Sequence, residues 1–355
     1  MSEKTFQIAV LGGDGIGPDV VAEAIKTLHS VQKILPHTQF HFTDYPAGAG
    51  EYLRAGNPLP DATIEGCRTA DAILLGAMGL PGVRYPNGTE ITPQIDLREI
   101  FDLYAGLRPI YLYNPSHSPL RGYAAGEIDF VIFRENTEGL FASRKNSVDF
   151  AAAEVRDTLL VTRHATERIC QSAFRLAQKR RRHVTLVDKA NVLPSMAYFR
   201  SIFDGVAAGY PDVGTDRVYV DAASLFLVKN PRRFDVLVME NMFGDILSDL
   251  AAGIAGGMGM APSADIGDKH AVFQPSHGSA PDIAGQGIAN PIATILSAAL
   301  MLEWLDTVNT RQGADAIRRA VEQVCADPAH ATPDIGGTLT TSQLGDLVAG
   351  SIRNP

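Results

Sequence analysis

Short apolar runs alternate with longer stretches of helical periodicity through most of this chain. The apolar runs fall at about 7–11, 39–46, 71–76, 105–112, 129–134, 157–162, 183–188, 217–221 and 234–239. Between them, helical patterns occupy about 18–35, 60–69, 94–103, 164–181 and 194–208, with another from about Gly244. Strands separated by helices are joined by crossovers, so the rhythm predicts an α/β fold with a mostly parallel sheet. A short strand, Ala271 to Gln274, precedes helices at about 291–306, 313–326 and 340–351. At 355 residues the chain has room for two domains or one large α/β unit.

The first strand runs into Gly12-Gly-Asp-Gly-Ile-Gly-Pro18. Pro18 suits the first turn of the helix that follows. The glycine spacing is not GxGxxG, and no acidic residue ends a second strand about twenty residues on, so a Rossmann phosphate loop is disfavoured. The default is a tight strand-to-helix turn. A net charge of −9 with no long basic stripe argues against a nucleic-acid partner. The absence of a signal-peptide core and of any 18-residue apolar run argues against a membrane. Three cysteines, Cys67, Cys170 and Cys325, lack CxxC spacing, which fits a reducing cytoplasm rather than a zinc site or disulfide framework.

The stretch Val238 to Asp249 carries the densest chemistry. A buried strand, Phe234 to Met239, turns into a helix that places Asp245 and Asp249 on one face. Stacked carboxylates repel unless a cation sits between them, and Mg²⁺ or Mn²⁺ prefers such oxygens. An exposed acidic face is the bland alternative. Arg98, Arg108 and Arg134 fall at strand or helix ends and, if they converge, would clamp a carboxylate through their guanidinium forks. Lys189 follows the strand His183 to Asp188, where partial desolvation suits proton transfer. Asp221 ends the run before it and could complete a trio with Asp245 and Asp249. Together these groups suit oxidation of a 2-hydroxy acid, with hydride passing to a nicotinamide and loss of a β-carboxylate as CO₂.

Six segments then stand in a telling order: Gly13-Asp-Gly-Ile-Gly-Pro18, Leu107-Arg-Pro109, Arg134-Glu-Asn-Thr-Glu-Gly139, Asp188-Lys-Ala-Asn191, Asn241 to Asp249 and His277-Gly-Ser-Ala-Pro-Asp-Ile-Ala-Gly285. Over nearly its whole length the chain resembles the isocitrate/isopropylmalate dehydrogenase family of metal-dependent β-decarboxylating dehydrogenases. That resemblance implies a two-domain fold, not Rossmann, with a mixed twisted sheet and flanking helices. A discontinuous cofactor domain would combine 1–100 with 255–355, and 101–254 would bind substrate and metal and form a homodimer. Arg98, Arg108 and Arg134 match the family's substrate arginines, Lys189 its proton-transfer lysine, and Asp221, Asp245 and Asp249 its Mg²⁺/Mn²⁺ ligands. Lys189 and Asp221 would reach into the partner's cleft. The resemblance also implies cofactor contacts from Asn191, His277, Gly278, Ser279, Ala280, Asp282, Ile283 and Asn290. In it, Asp282-Ile283 stands where NADP-using members tend to carry Lys and Tyr, so NAD is expected; the carboxylate would repel a 2′-phosphate.

Two departures stand out. The family usually has a tyrosine seven residues after the arginine of the RENTEG segment, and here that position is Phe141. The tyrosine helps protonate the enol after CO₂ leaves. Its loss implies another donor, oxidation without efficient decarboxylation, or a catalytically weak regulatory subunit. Ahead of Arg98, Ile91-Thr-Pro-Gln-Ile-Asp-Leu97 fits neither isopropylmalate nor isocitrate enzymes. Thr92 and Gln94 suit a polar substrate substituent, whereas Ile91 and Ile95 suit an apolar one. 3-Isopropylmalate is the leading substrate, with tartrate or D-malate, isocitrate and homoisocitrate open.

Overall fold

A computed structural model describes residues 4–146, 148 and 151–353. In chain order its elements are β1 (Lys4–Gly13), α1 (Gly17–Gln32), β2 (Thr38–Asp44), α2 (Ala49–Ala55), α3 (Asp61–Thr69), β3 (Ala72–Ala77), α4 (Pro93–Ile100), β4 (Ala105–Tyr111) and β5 (Asp129–Glu135). Next come α5 (Arg163–Gln178), β6 (His183–Asp188), α6 (Pro194–Ala207), β7 (Gly214–Tyr219), α7 (Val220–Lys229), β8 (Val236–Met239) and α8 (Asn241–Ile254). The chain closes with β9 (Pro262–Ile266), β10 (Ala271–Pro275), α9 (Ile292–Trp304), α10 (Val308–Cys325) and α11 (Thr341–Ser351), besides short 3₁₀ turns.

All ten strands form one sheet in the order β2-β1-β3-β10-β9-β4-β5-β8-β6-β7. Its two flanks are parallel, as the βαβ rhythm predicts, but the middle run β10-β9-β4-β5 pairs antiparallel. The sheet is therefore mixed, but six of its nine strand pairings are parallel, so the mostly parallel reading holds for the sheet as a whole. β3 is buried along its whole length, as a strand covered on both faces must be. Helix ends are capped by their sequence. Thr307 and Thr340 each close a capping box, and the Glu240 carboxylate accepts from Phe243 N at 2.7 Å and Met242 N at 3.1 Å. That cap starts α8 at Asn241, three residues before the expected Gly244.

The apolar core is divided. One cluster gathers Phe6, Leu28, Leu74, Phe273, Ile295 and Val348, from both ends of the chain. Two others gather middle residues, Phe174, Phe203 and Val238 in one and Phe130, Phe234 and Leu247 in the other. The expected strand at 157–162 does not form. Among the described residues Leu160 makes only an isolated bridge to Gly139, and Arg156 and Asp157 face solvent. Sequence reading passed over α2, α7 and β9. Asp221 accordingly lies in the first turn of α7, not at a strand end.

The glycine-rich turn after β1 binds protein groups. Asp14 is buried, and its carboxylate accepts from the backbone N–H of Ala49 (2.7 Å), Gly50 (2.8 Å) and Gly79 (2.8 Å). The turn thus ties the α2 loop to the end of β3.

Candidate active site

Sheet register explains why distant arginines meet. Arg134 on β5 pairs with Gly106 on β4, and Gly106 with Asp265 on β9. Paired residues project to the same face, and Arg108, two along from Gly106, shares it. Arg98 arrives from α4. Arg98, Arg108 and Arg134 are all buried and line one cavity of about 170 Å³, with Gln94, Asp245, Asp249, Ser276, His277 and Gly278 also in its wall. The three arginines, whose convergence the sequence left open, thus share one cavity wall.

Asp265 holds two of them. Arg98 Nε donates to its Oδ2 at 2.9 Å and Arg108 Nη2 to its Oδ1 at 3.2 Å. Asn136 and Gln274 donate to the same carboxylate at 2.8 and 2.7 Å. Burial alone would raise the Asp265 pKa, but Arg98 and Arg108 overcome it and hold the group well below the usual carboxylate range. Arg134 donates through Nε to Asn241 Oδ1 at 2.9 Å and pairs with Asp245. Burial and the nearby Arg98 lower its pKa to about 9, which leaves it charged at neutral pH. The Phe141 ring stacks on this guanidinium, 5.1 Å from its central carbon.

Asp245 and Asp249 border the cavity from α8, as their spacing predicts. Burial, and then the neighbouring Asp245, raise the Asp249 pKa, a strain that a divalent cation between them would relieve. The proposed trio does not assemble in one chain. Asp221 is outside the cavity, its Oδ1 2.6 Å from Lys189 Nζ, and that partner lowers its pKa. Among the described residues, no three His, Cys, Asp or Glu side chains are placed to hold a metal. Asn191 is exposed in the loop after β6, also away from the cavity lining.

The specificity segment divides between two cavities. Gln94 lines the arginine cavity, and its Oε1 is buried without a partner among the described residues. Thr92 and Ile95 line a neighbouring cavity with Phe141, while Ile91 is fully buried in the core.

The loop from His277 packs on the glycine turn. Ile16 N donates to Ser279 O at 2.8 Å, and a Cβ at Gly15 would lie 1.9 Å from that oxygen, so only glycine fits there. Burial lowers the His277 pKa; its Nδ1 pairs with Gly278 O at 2.9 Å, and its buried Nε2 has no partner among the described residues. Asp282 is exposed, Ile283 and Ala280 pack against Ile16, and Ser279 bonds Gly79 O. Asn290 is committed internally: it donates to Asp334 Oδ2 at 3.1 Å and accepts from Ile292 N at 3.0 Å.

Sequence reasoning missed Asp265, Asn136 and Gln274. A carboxylate in the small-residue run Pro262 to Ile266 demands cationic partners if that run is a buried strand, which was the available signal.

A buried carboxylate-binding arginine clamp beside an acidic helix, on a mixed sheet, defines a class of enzyme for anionic substrates. A model of the isocitrate/isopropylmalate dehydrogenase family matches residues 7–348, and the chain belongs to that family. It is 43% identical to the 3-isopropylmalate dehydrogenase of Mannheimia succiniciproducens, over 98% of this chain and 100% of that one. It is also 43% identical to the 3-isopropylmalate dehydrogenase of Moorella thermoacetica, over 97% and 98%. Among solved structures, isocitrate dehydrogenase from Methylococcus capsulatus superposes with a TM-score of 0.87 at 37% identity, covering 98% of this chain and 100% of that one. A β-decarboxylating dehydrogenase from Thermococcus kodakarensis superposes with 0.79 at 36%, over 98% and 96%. Among the described residues, no helix is long and apolar enough to cross a membrane.

Proposed function

We propose that this chain oxidises 3-isopropylmalate at its 2-hydroxyl with NAD as acceptor and releases the β-carboxylate as CO₂. The observation that carries this reading is the convergence of Arg98, Arg108 and Arg134 beside Asp245 and Asp249 in one cavity. Relatives at 41–43% identity bear the 3-isopropylmalate dehydrogenase name, which favours this substrate over tartrate, D-malate, isocitrate and homoisocitrate, and favours an active enzyme over a regulatory subunit.

In this reading the arginines bind the substrate carboxylates. Among the described residues Arg98 bonds Asp265 through Nε alone, which leaves its two Nη groups for a ligand. Arg134 carries the dual task of meeting a carboxylate and steadying Asp245. Gln94 Oε1 offers an acceptor inside the cavity, and Thr92 faces the side-group cavity. When bound, NAD accepts the hydride and Mg²⁺ or Mn²⁺ polarises the C2 oxygen and stabilises the charge left by CO₂. Asp245 and Asp249 would hold the cation, since their mutual repulsion fits it. His277, Gly278, Ser279, Ala280, Asp282 and Ile283 would hold NAD: the unpartnered His277 Nε2 fits a cofactor donor and the exposed Asp282 fits ribose hydroxyls. Asn290 would shape that loop from behind, given its internal bonds.

Lys189 would take the hydroxyl proton. Because the Lys189–Asp221 pair stands outside the cavity of its own chain, we read it as serving a second copy, with Asn191 beside it. Leu225, Val228 and Ile246, exposed on α7 and α8, supply apolar surface for that homodimer. The divided core supports a cofactor domain of 1–100 with 255–355 and a substrate and dimerisation domain of 101–254. Three free, buried cysteines suit the cytoplasm.

The test is a substrate panel. With NAD⁺ and Mn²⁺, kcat/KM should be highest for 3-isopropylmalate among it, D-malate, tartrate, isocitrate and homoisocitrate. A higher value for any other acid overturns the substrate assignment.

A further inference from the structure

The proposed reaction ends with a proton delivered to carbon, yet Phe141 has no hydroxyl to deliver it. We propose that Tyr85 is the proton donor, acting across the cavity whose wall it shares with Phe141. The inference rests on the function proposed above.

That cavity has a volume of about 480 Å³, and Tyr85 is the one phenol in its lining. Phe141 lines it and stacks on Arg134, which lines the arginine cavity, so the two spaces adjoin at that contact. Thr92 and Ile95, from the segment ahead of Arg98, line the same wall. Other proton carriers in the lining are engaged. Lys145 pairs with Glu99, Asp96 with Arg144 at 2.7 Å, and Glu90 with Arg84 at 3.8 Å. Among the described residues the Tyr85 hydroxyl has no hydrogen-bond partner, so its O–H is available.

The loop that carries Tyr85 makes its own hydrogen bonds. Tyr85 N donates to Thr89 O at 2.9 Å, Gly88 N donates to Tyr85 O at 2.8 Å, and Arg84 bridges Glu90. The Tyr85 ring meets Tyr52 edge-on, with centroids 5.3 Å apart. Burial, then the nearby Asp96 charge, raise the phenol pKa, so it stays protonated.

The step balances without an added oxidant or reductant. As the bond to the departing carboxylate breaks, its electron pair becomes the C2–C3 π bond of the enolate. The Tyr85 O–H bond then breaks while C3–H forms. The phenolate regains a proton from water in the cavity.

The test compares Y85F, F141Y and Y85F/F141Y in the full-length protein. Rapid-quench measurements separate single-turnover NADH formation from appearance of the C3-protonated 2-oxo acid, with deuterium uptake from D₂O followed at C3. Y85F should slow protonation ~10²-fold or more while leaving the NADH burst and the KM for NAD⁺ within about twofold. Adding F141Y to Y85F should restore protonation to within about tenfold of the parent, because it returns a phenol to the site. Equal protonation by Y85F and parent overturns the proposal. So does an equal loss of both steps in Y85F, which marks a packing role. If the parent forms no NADH from 3-isopropylmalate, the substrate reading fails by itself, and the variants are compared on the panel acid that is oxidised.

Discussion

Asp265 Oδ2 lies 2.9 Å from Arg98 Nε, joining β9 to α4 at an arginine that lines the cavity. The same buried carboxylate also receives Arg108, so one acidic group fixes two members of the clamp.

Asp265→Asn should therefore destabilise the protein by about 3–5 kcal/mol, since it leaves buried cations uncompensated. Urea unfolding measures this. The sign of its pH dependence follows from the lowered pKa. Stability from Asp265 is complete above the unfolded value of about 3.9 and is lost as pH falls through the lower folded value. Between those two values the parent gains stability with rising pH, and the Asn variant should lack that slope.

Gly244 lets α8 close on the clamp. A Cβ there would fall 2.6 Å from Cβ and Cγ of Arg134. Gly244→Ala should push the guanidinium away from Asp245 and Asn241, costing about 1–3 kcal/mol of stability. The KM for substrate should rise more than the KM for NAD⁺, as steady-state kinetics would report.

The thiols should be inert in the folded enzyme. Burial pushes Cys67 and Cys325 up to about 12 and raises Cys170 as well. Ellman's reagent should find no fast-reacting thiol in the native protein and all three after denaturation.

Cofactor choice should follow Asp282 and Ile283. On the proposed reading, replacing them together by Lys and Tyr removes a carboxylate that would repel a 2′-phosphate and supplies a cation for it. The NADP⁺-to-NAD⁺ ratio of kcat/KM should rise at least tenfold, about 1.4 kcal/mol of relative transition-state binding. An unchanged ratio would place the discriminating contacts elsewhere.

The fold was legible where local pattern decides it. The strand His183 to Asp188 and the helix from Pro194 follow their periodicity closely. The α8 carboxylates were likewise readable from helical spacing, but of the three arginines only Arg134 stands near a strand end: Arg108 is central in β4 and Arg98 lies in α4. What the sequence hid depends on distant partners. β9 is short and flanked by glycine-rich chain, and only its pairing with β10 and β4 makes it a strand. Asp265, within it, gains meaning from arginines more than 150 residues away. Asp221 reads as a strand end because Val218 to Val220 is apolar, yet the chain has already turned into α7. The segment 157–162 looks like a strand by composition, yet among the described residues it pairs only through the single bridge of Leu160 to Gly139.

The most direct test of the central claim is the stoichiometry of NADH and CO₂ formed by the purified parent from 3-isopropylmalate, NAD⁺ and Mn²⁺. Rapid turnover with one CO₂ for each NADH is the predicted result, since Phe141 is compensated within the chain. NADH without matching CO₂, or no NADH in a protein that binds NAD⁺, would contradict an oxidative decarboxylase.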